Sequence, residues 1–167
     1  MTTTLLSWHC QPFDRLDRRD LYALLQLRCA VFIVEQNCPY LDPDGKDLLD
    51  STHHLYARDS NGAVLACLRL LAPGVSYAHP SIGRVANAAS TRGSGLGREL
   101  MRRGIAECQR LWPGQPIRIG AQAYLRRFYE SLGFVVDSAE YLEDGIPHFE
   151  MQRPAEVIIE GGTATGG

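Results

Sequence analysis

The sequence has no uninterrupted apolar run of 18 residues, no basic leader ahead of an apolar stretch, and no C-x-x-C pair. The first two absences remove the grounds for a membrane-spanning helix or a secretory signal, so a cytoplasmic protein without a membrane partner is expected. The five cysteines, Cys10, Cys29, Cys38, Cys67 and Cys108, are odd in number and scattered. That pattern suits reduced thiols better than a disulfide framework or a zinc site. Four of them lie in apolar segments and are expected in the core, whereas Cys38 before Pro39 is the one loop thiol. A basic excess is missing too: 17 Lys and Arg face 19 Asp and Glu. The net charge of −2 leaves little sequence-independent affinity for nucleic acid. The histidines have no metal-ligand spacing, so no metal is expected.

What is present reads as one globular domain. A chain of 167 residues, 45% hydrophobic and 22% charged, can bury a single substantial core. The domain is expected over residues 1–154, and the Gly-, Thr- and Ala-rich segment 155–167 is expected to fray. Leu5 to Cys10 is a short strand candidate ended by Pro12. Asp17 then caps a helix whose Leu21, Leu24, Leu25, Arg28, Val31 and Phe32 recur at helical spacing. From Glu35 to Ser51 that period vanishes, and Tyr40, Asp42, Asp44, Asp47 and Asp50 crowd one loop. Such a loop is either solvated or a site for a cation or amine.

His54 to Arg58 and Ala63 to Leu71 are strand-like and are separated by Asp59-Ser60-Asn61-Gly62, a hairpin signal. A further strand, Ile82 to Ala86, leads into the run Ser90-Thr91-Arg92-Gly93-Ser94-Gly95-Leu96-Gly97-Arg98 and a helix that ends before Pro113-Gly114. Ile117 to Ala121 is the next strand, so Ile82 to Ala121 forms a strand, helix, parallel strand unit. Tyr124 to Leu132 is expected as a helix stopped by Gly133. Strand candidates follow at Phe134 to Val136, Glu140 to Leu142 and His148 to Gln152, the last two joined by a turn at Glu143-Asp144-Gly145. The fold class is therefore α+β, with a mixed, largely antiparallel sheet flanked by helices.

The glycine run is the most informative stretch. Glycines let another molecule approach the backbone closely, and a helix start offers unpaired N–H groups and partial positive charge. A tight turn alone would use the same residues, but the serine and arginine within the run favour an anion. Gly97 is followed by Arg98 and Glu99, so the lysine of a P-loop is missing, and the G-x-G-x-G spacing departs from a dinucleotide fingerprint.

Arg92, Gly95 and Gly97 instead carry R-x-x-G-x-G, which resembles the pyrophosphate motif of the GNAT superfamily of N-acetyltransferases. Phe128-Tyr129-Glu130-Ser131-Leu132-Gly133-Phe134 resembles that superfamily's second signature, F-Y-x-x-x-G-F. Val31 to Tyr40, Asp44-Gly45, Gly83-Arg84-Val85 and Glu143 to His148 are similar to the bacterial ElaA-type subfamily, from about Ser7 to Arg153.

The resemblance implies a GNAT fold and direct transfer of an acetyl group from acetyl-CoA, as co-substrate, to a primary amine of a small molecule or peptide. It implies that the backbone of Arg92, Gly93, Ser94, Gly95, Leu96, Gly97 and Arg98 holds the pyrophosphate. The strand at Val85, Ala86 and Asn87 would pair with the pantetheine arm beside a splayed neighbour, with Gln122 and Phe128 nearby. Tyr129 lands on the family's general acid. A glutamate often placed on the central strand is lacking, so Glu35, Asp44, His54, Glu143 and His148 all stand as candidate bases. Tyr40, Asp44, Arg84 and His148 are candidate acceptor contacts. A homodimer is compatible with the resemblance. The alternative function is a catalytically degenerate acetyl-CoA-binding module or sensor.

Overall fold

The computed structural model of the chain describes residues 5–156. Residues 157–167, most of the 155–167 segment expected to fray, lie outside the described residues. Strand β1 (Ser7–Pro12) precedes helix α1 (Arg18–Arg28). The Asp17 carboxylate accepts from the Arg19 amide at the start of α1, the N-cap that the sequence anticipates. The helix then loosens into a π-helical turn, Cys29–Glu35.

Strands β2 (His53–Arg58), β3 (Val64–Leu71) and β4 (Ser81–Asn87) form an antiparallel meander with β1. Asp59 closes the β2–β3 hairpin by accepting from the amides of Asn61 and Ala63, with Gly62 at φ +86°. Helix α2 (Leu96–Leu111) crosses to β5 (Ile117–Gln122), parallel to β4. A short helix, α3 (Arg126–Glu130), leads to β6 (Val135–Val136), β7 (Tyr141–Glu143) and β8 (Ile146–Arg153). The main strand order is β1-β2-β3-β4-β5-β8-β6, with β7 on β8.

Alternation along the strands gives the sheet two differently covered faces. Leu55, Leu68, Leu70, Ile82, Ile117, Ile119 and Met151 pack with Leu100, Met101 and Ile105 of α2. Tyr56, Val64, Cys67 and Ala86 face Leu24 and Leu27 of α1 on the other side. Helix α1 covers only the β2–β4 part of its face, so Gly120 and Gln122 of β5 and His148 of β8 stand beside open space.

Three details differ from the sequence expectations. The helix expected over Tyr124 to Leu132 is a 3-10 turn, Ala123–Leu125, followed by the short α3. Cys29 is exposed and Cys38 is buried, because Cys29 sits on the outer side of the π turn while the Cys38 thiol points inward toward the Asp144 carbonyl at 3.5 Å. The acidic loop is not a solvated cation trap. Arg28 Nε donates to Asp42 at 2.8 Å and its Nη1 to Asp47 at 2.8 Å, both carboxylates being buried. Arg69 donates to Asp44 at 2.8 Å and to Asp47 at 3.1 Å, and Arg84 Nε lies 2.8 Å from Asp42. Buried carboxylates require such partners, and here three arginines from α1, β3 and β4 supply them.

Candidate active site

Strand β4 determines where the site opens. The β3–β4 ladder shifts register between Cys67 and Arg69, opposite Arg84, which has φ +52° although it is not glycine. An extra residue at such a bulge bends the strand. Beyond Ser81, which pairs with Arg118, β4 and β5 share no further ladder positions. The β5-facing backbone groups of Gly83–Asn87 therefore border a gap, the splay that the resemblance implied.

The gap belongs to a cavity of about 1110 Å³. At its α2 end the glycine loop supplies four backbone donors. Among the described residues the amides of Gly93, Gly95, Gly97 and Arg98 have no acceptor, while those of Ser94 and Leu96 bond to Thr91 and to the Ser94 hydroxyl. Gly93 and Gly95 have φ of +78° and +86°, a conformation in which side chains are strained. A Cβ on Gly97 would lie 2.5 Å from Asn87 Nδ2, so any larger residue there would have to displace the Asn87 side-chain amide. An α-helix start with four free N–H groups fits a phosphate-bearing ligand.

Two arginines flank the loop. Arg98 donates to the Ser131 hydroxyl at 3.0 Å and lies over the Phe128 ring. Arg92 is paired with Glu35, which holds that carboxyl below its ordinary range chiefly through the hydrogen bond. Val85, Ala86, Leu96, Gln122 and Phe128 line the same cavity, with Gln122 donating to Gln36 at 3.3 Å.

Tyr129 sits where α3 meets the cavity and is 7% exposed. It packs edge-on against Phe128 and Phe134, and its hydroxyl makes no hydrogen bond to another described residue. Burial, with a smaller contribution from Tyr124, pushes the phenol up to about 12. The group is a protonated donor.

Of the candidate bases, His54 does not face the cavity. It is 1% exposed, and its Nε2 contacts the Asp47 carbonyl at 3.1 Å beneath the arginine network. Burial lowers its pKa, so it is a neutral packed imidazole. Asp44 lines the cavity but is occupied by Arg69 and reaches Arg84 at 3.4 Å. Burial alone would raise its pKa, but the Arg69 hydrogen bonds and charge hold it down at about 2. Arg84, 5.7 Å over the Tyr40 ring, likewise belongs to the network. Tyr40 donates to Asp42 at 3.1 Å, and burial raises its phenol to about 12.

Glu143 and His148 do face the cavity together. Asp144 and Gly145, at φ +50° and +77°, make the two-residue turn that brings β7 onto β8. His148 stacks on Tyr141, stands opposite Gln122 in the ladder, and places Nε2 3.9 Å from Glu143. Its Nδ1 is 2.7 Å from the Ile146 carbonyl. A carbonyl only accepts, so Nδ1 carries a proton, and the tautomer that this contact selects has its lone pair at Nε2.

Several polar residues in and behind this opening have no role assigned from the sequence. Arg28 and Arg69 had a readable signal, since each is a cation within an apolar period. Tyr77 and Glu150 had none beyond their polarity. Among the described residues no group of His, Cys, Asp and Glu could hold a metal ion, and no helix is long and apolar enough to cross a membrane.

Residues 45–154 match the family model of the acetyltransferase (GNAT) domain. The chain is 43% identical to protein ElaA of Escherichia coli over 154 residues, spanning 92% of this chain and 99% of that protein. The crystal structure of E. coli ElaA superposes with a TM-score of 0.84 at 41% identity, covering 89% of this chain and 99% of that one. An acyl-CoA N-acyltransferase from Pseudomonas aeruginosa superposes with a TM-score of 0.85 at 47% identity, with the same coverage.

Proposed function

Because this chain belongs to the GNAT acetyltransferase family, we propose that it transfers the acetyl group of acetyl-CoA to a primary amine by direct attack. One observation carries the reading: a single cavity is lined by the glycine loop with its free amides, the β4–β5 gap, Tyr129 and His148. The donor contributes an activated thioester, and everything else is supplied by this chain.

The loop amides, with Arg92 and Arg98, bind the pyrophosphate. The unpaired edge of β4 at Val85 to Asn87 holds the pantetheine arm and offers an N–H to the thioester carbonyl. The amine nitrogen attacks the carbonyl carbon, forming the C–N bond and breaking the C–S bond. His148 Nε2 takes the proton that the amine loses, and Glu143 stabilises the resulting imidazolium. Tyr129 Oη gives its proton to the departing thiolate and recovers one from water. Water also receives the proton from His148.

Asp44 and Arg84 shape the acceptor side through the network, and Tyr40 forms its wall. The non-catalytic sensor reading is motivated by the lack of a carboxylate on β4, and the position of His148 removes much of that motive. Purified protein is incubated with acetyl-CoA and a panel of primary amines, with CoA release followed by thiol titration and product by mass. Acetylated amine in step with CoA release supports the reading. Tight acetyl-CoA binding with no release for any amine would favour the sensor.

A further inference from the structure

The acceptor side holds a second constellation that the transfer step does not use. Gly120 of β5 stands opposite Glu150 of β8, is exposed and lines the cavity. A Cβ at Gly120 would lie 3.2 Å from Tyr141 Oη, 3.6 Å from Tyr77 Oη and 3.9 Å from Glu150 Oε1. Three oxygens from three parts of the chain converge on one point above bare backbone. Tyr77 and Tyr141 donate their hydroxyl protons to Glu150 Oε1 at 3.0 and 2.9 Å. Burial first, and then the Glu150 carboxylate, push both phenols upward, so they keep those protons. With the protons directed at Glu150, the hydroxyl lone pairs remain available as acceptors. The point offers acceptors backed by a negative charge.

That charge has no cationic partner among the described residues. Arg118 lies over the Tyr77 ring at 5.6 Å but pairs with Asp137 and donates to Gln152. Glu150 Oε2 is buried and without a hydrogen bond. Asp42, Asp44 and Asp47, in the loop ahead of β2, each have an arginine. A carboxylate left without one in such surroundings is costly, which is explained if its counter-ion is a ligand. Glu143 and Asp144 add negative charge to the cavity lining, and Lys46, the lysine in that lining, is tied to the Ser76 hydroxyl at 2.8 Å.

Spacing defines the ligand further. His148 and Glu150 are two residues apart on one strand and share a face, which separates them by about 7 Å. We propose that the acceptor is a short aliphatic diamine. One amino group is acetylated beside His148, and the other, as an ammonium ion, sits above Gly120 and donates to Tyr77 Oη, Tyr141 Oη and Glu150 Oε1. The assignment of the first amine rests on the transfer reading, whereas the second subsite can be tested without turnover.

The test is calorimetric titration of the CoA-saturated protein with putrescine and cadaverine, against n-butylamine and n-pentylamine. The wild type should bind each diamine about tenfold more tightly than the monoamine of equal chain length, as expected for hydrogen bonds to a charged group. Glu150→Gln should bring that ratio close to one. Tyr77→Phe, which removes a single oxygen and keeps the ring, should reduce it partially at an unchanged melting temperature, so the result does not depend on how Glu150→Gln folds. Equal binding of diamine and monoamine by the wild type, or a ratio that neither variant changes, would overturn the proposal. Failure to release CoA from acetyl-CoA with any amine, while the binding preference persists, would sink the transfer reading alone and leave the ammonium subsite standing.

Discussion

Arg92 and Glu35 meet as a two-pronged ion pair at the mouth of the cavity, Arg92 Nη2 lying 2.8 Å from Glu35 Oε2 and Nη1 contacting Oε1. One residue comes from the glycine run and the other from the end of the π turn. Both side chains are about half exposed, at 45% and 44%. The pair therefore sets a candidate phosphate ligand against a candidate base, and a donor pyrophosphate would compete with Glu35 for the same guanidinium.

Glu35→Gln should release Arg92 toward the donor. Exposed pairs are weak, so acetyl-CoA affinity should rise by about two- to fivefold, with kcat changed by less than about twofold. Equilibrium titration and steady-state kinetics check both numbers. A large loss of kcat at unchanged donor affinity would instead make Glu35 the base.

Tyr129→Phe removes a buried hydroxyl at the α3 end of the cavity while keeping the ring packed against Phe128 and Phe134. General acid catalysis contributes about a hundredfold or more, so kcat should fall by that amount at unchanged donor binding. Since burial holds the phenol at about 12, the wild-type rate should show no alkaline loss attributable to Tyr129 below about pH 11. Equal transfer by the variant would remove Tyr129 from the mechanism.

His148→Gln keeps a polar side chain on β8 but deletes the Nε2 base, and should lower kcat by about a hundredfold. Glu143→Gln, which only weakens support for the imidazolium, should cost less. Single-turnover rates with donor and amine preloaded test the order. A greater loss from Glu143→Gln would exchange the two roles.

The arginine network predicts how the fold responds to acid. Asp44, held at about 2 against an ordinary 3.8, and Asp47, also lowered, are depressed in the folded state. Their contribution to stability is complete above the ordinary value and is lost as pH falls from about 4 toward 2. Urea midpoints measured across that window should drop with pH. At neutral pH, Arg28→Met should cost about 3 kcal/mol, because it takes the buried guanidinium from Asp42 and Asp47 and leaves each with a single arginine, Arg84 and Arg69. Retention of wild-type stability by that variant would contradict the network's importance.

Local physics made much of this protein readable from its residues. Gly93, Gly95 and Gly97 mark a place where side chains fit poorly, through positive φ at the first two and the Asn87 side-chain amide pressed against the third. Asp17, Asn61-Gly62 and Asp144-Gly145 similarly end or turn elements through their own hydrogen bonds or backbone freedom. The apolar face of α2 and the alternation in β2 to β5 follow from periodicity alone. The residues from Tyr124 to Leu132 suit one helix, and nothing in them shows where the 3-10 turn Ala123–Leu125 gives way to the short α3.

Electrostatic partnership was the part that required the tertiary structure. Asp42, Asp44 and Asp47 read as a solvated acidic loop until Arg28, Arg69 and Arg84 arrive from a helix and two strands. His54 and His148 are alike as letters, yet one is sealed under that network and the other presents Nε2 to the cavity. Glu150 becomes informative only when Tyr77, Tyr141 and the bare Gly120 gather around it. A turn or a helix cap is set by neighbours in the chain. Whether a charge is paired or free depends on residues far along the chain, and only folding brings them within reach.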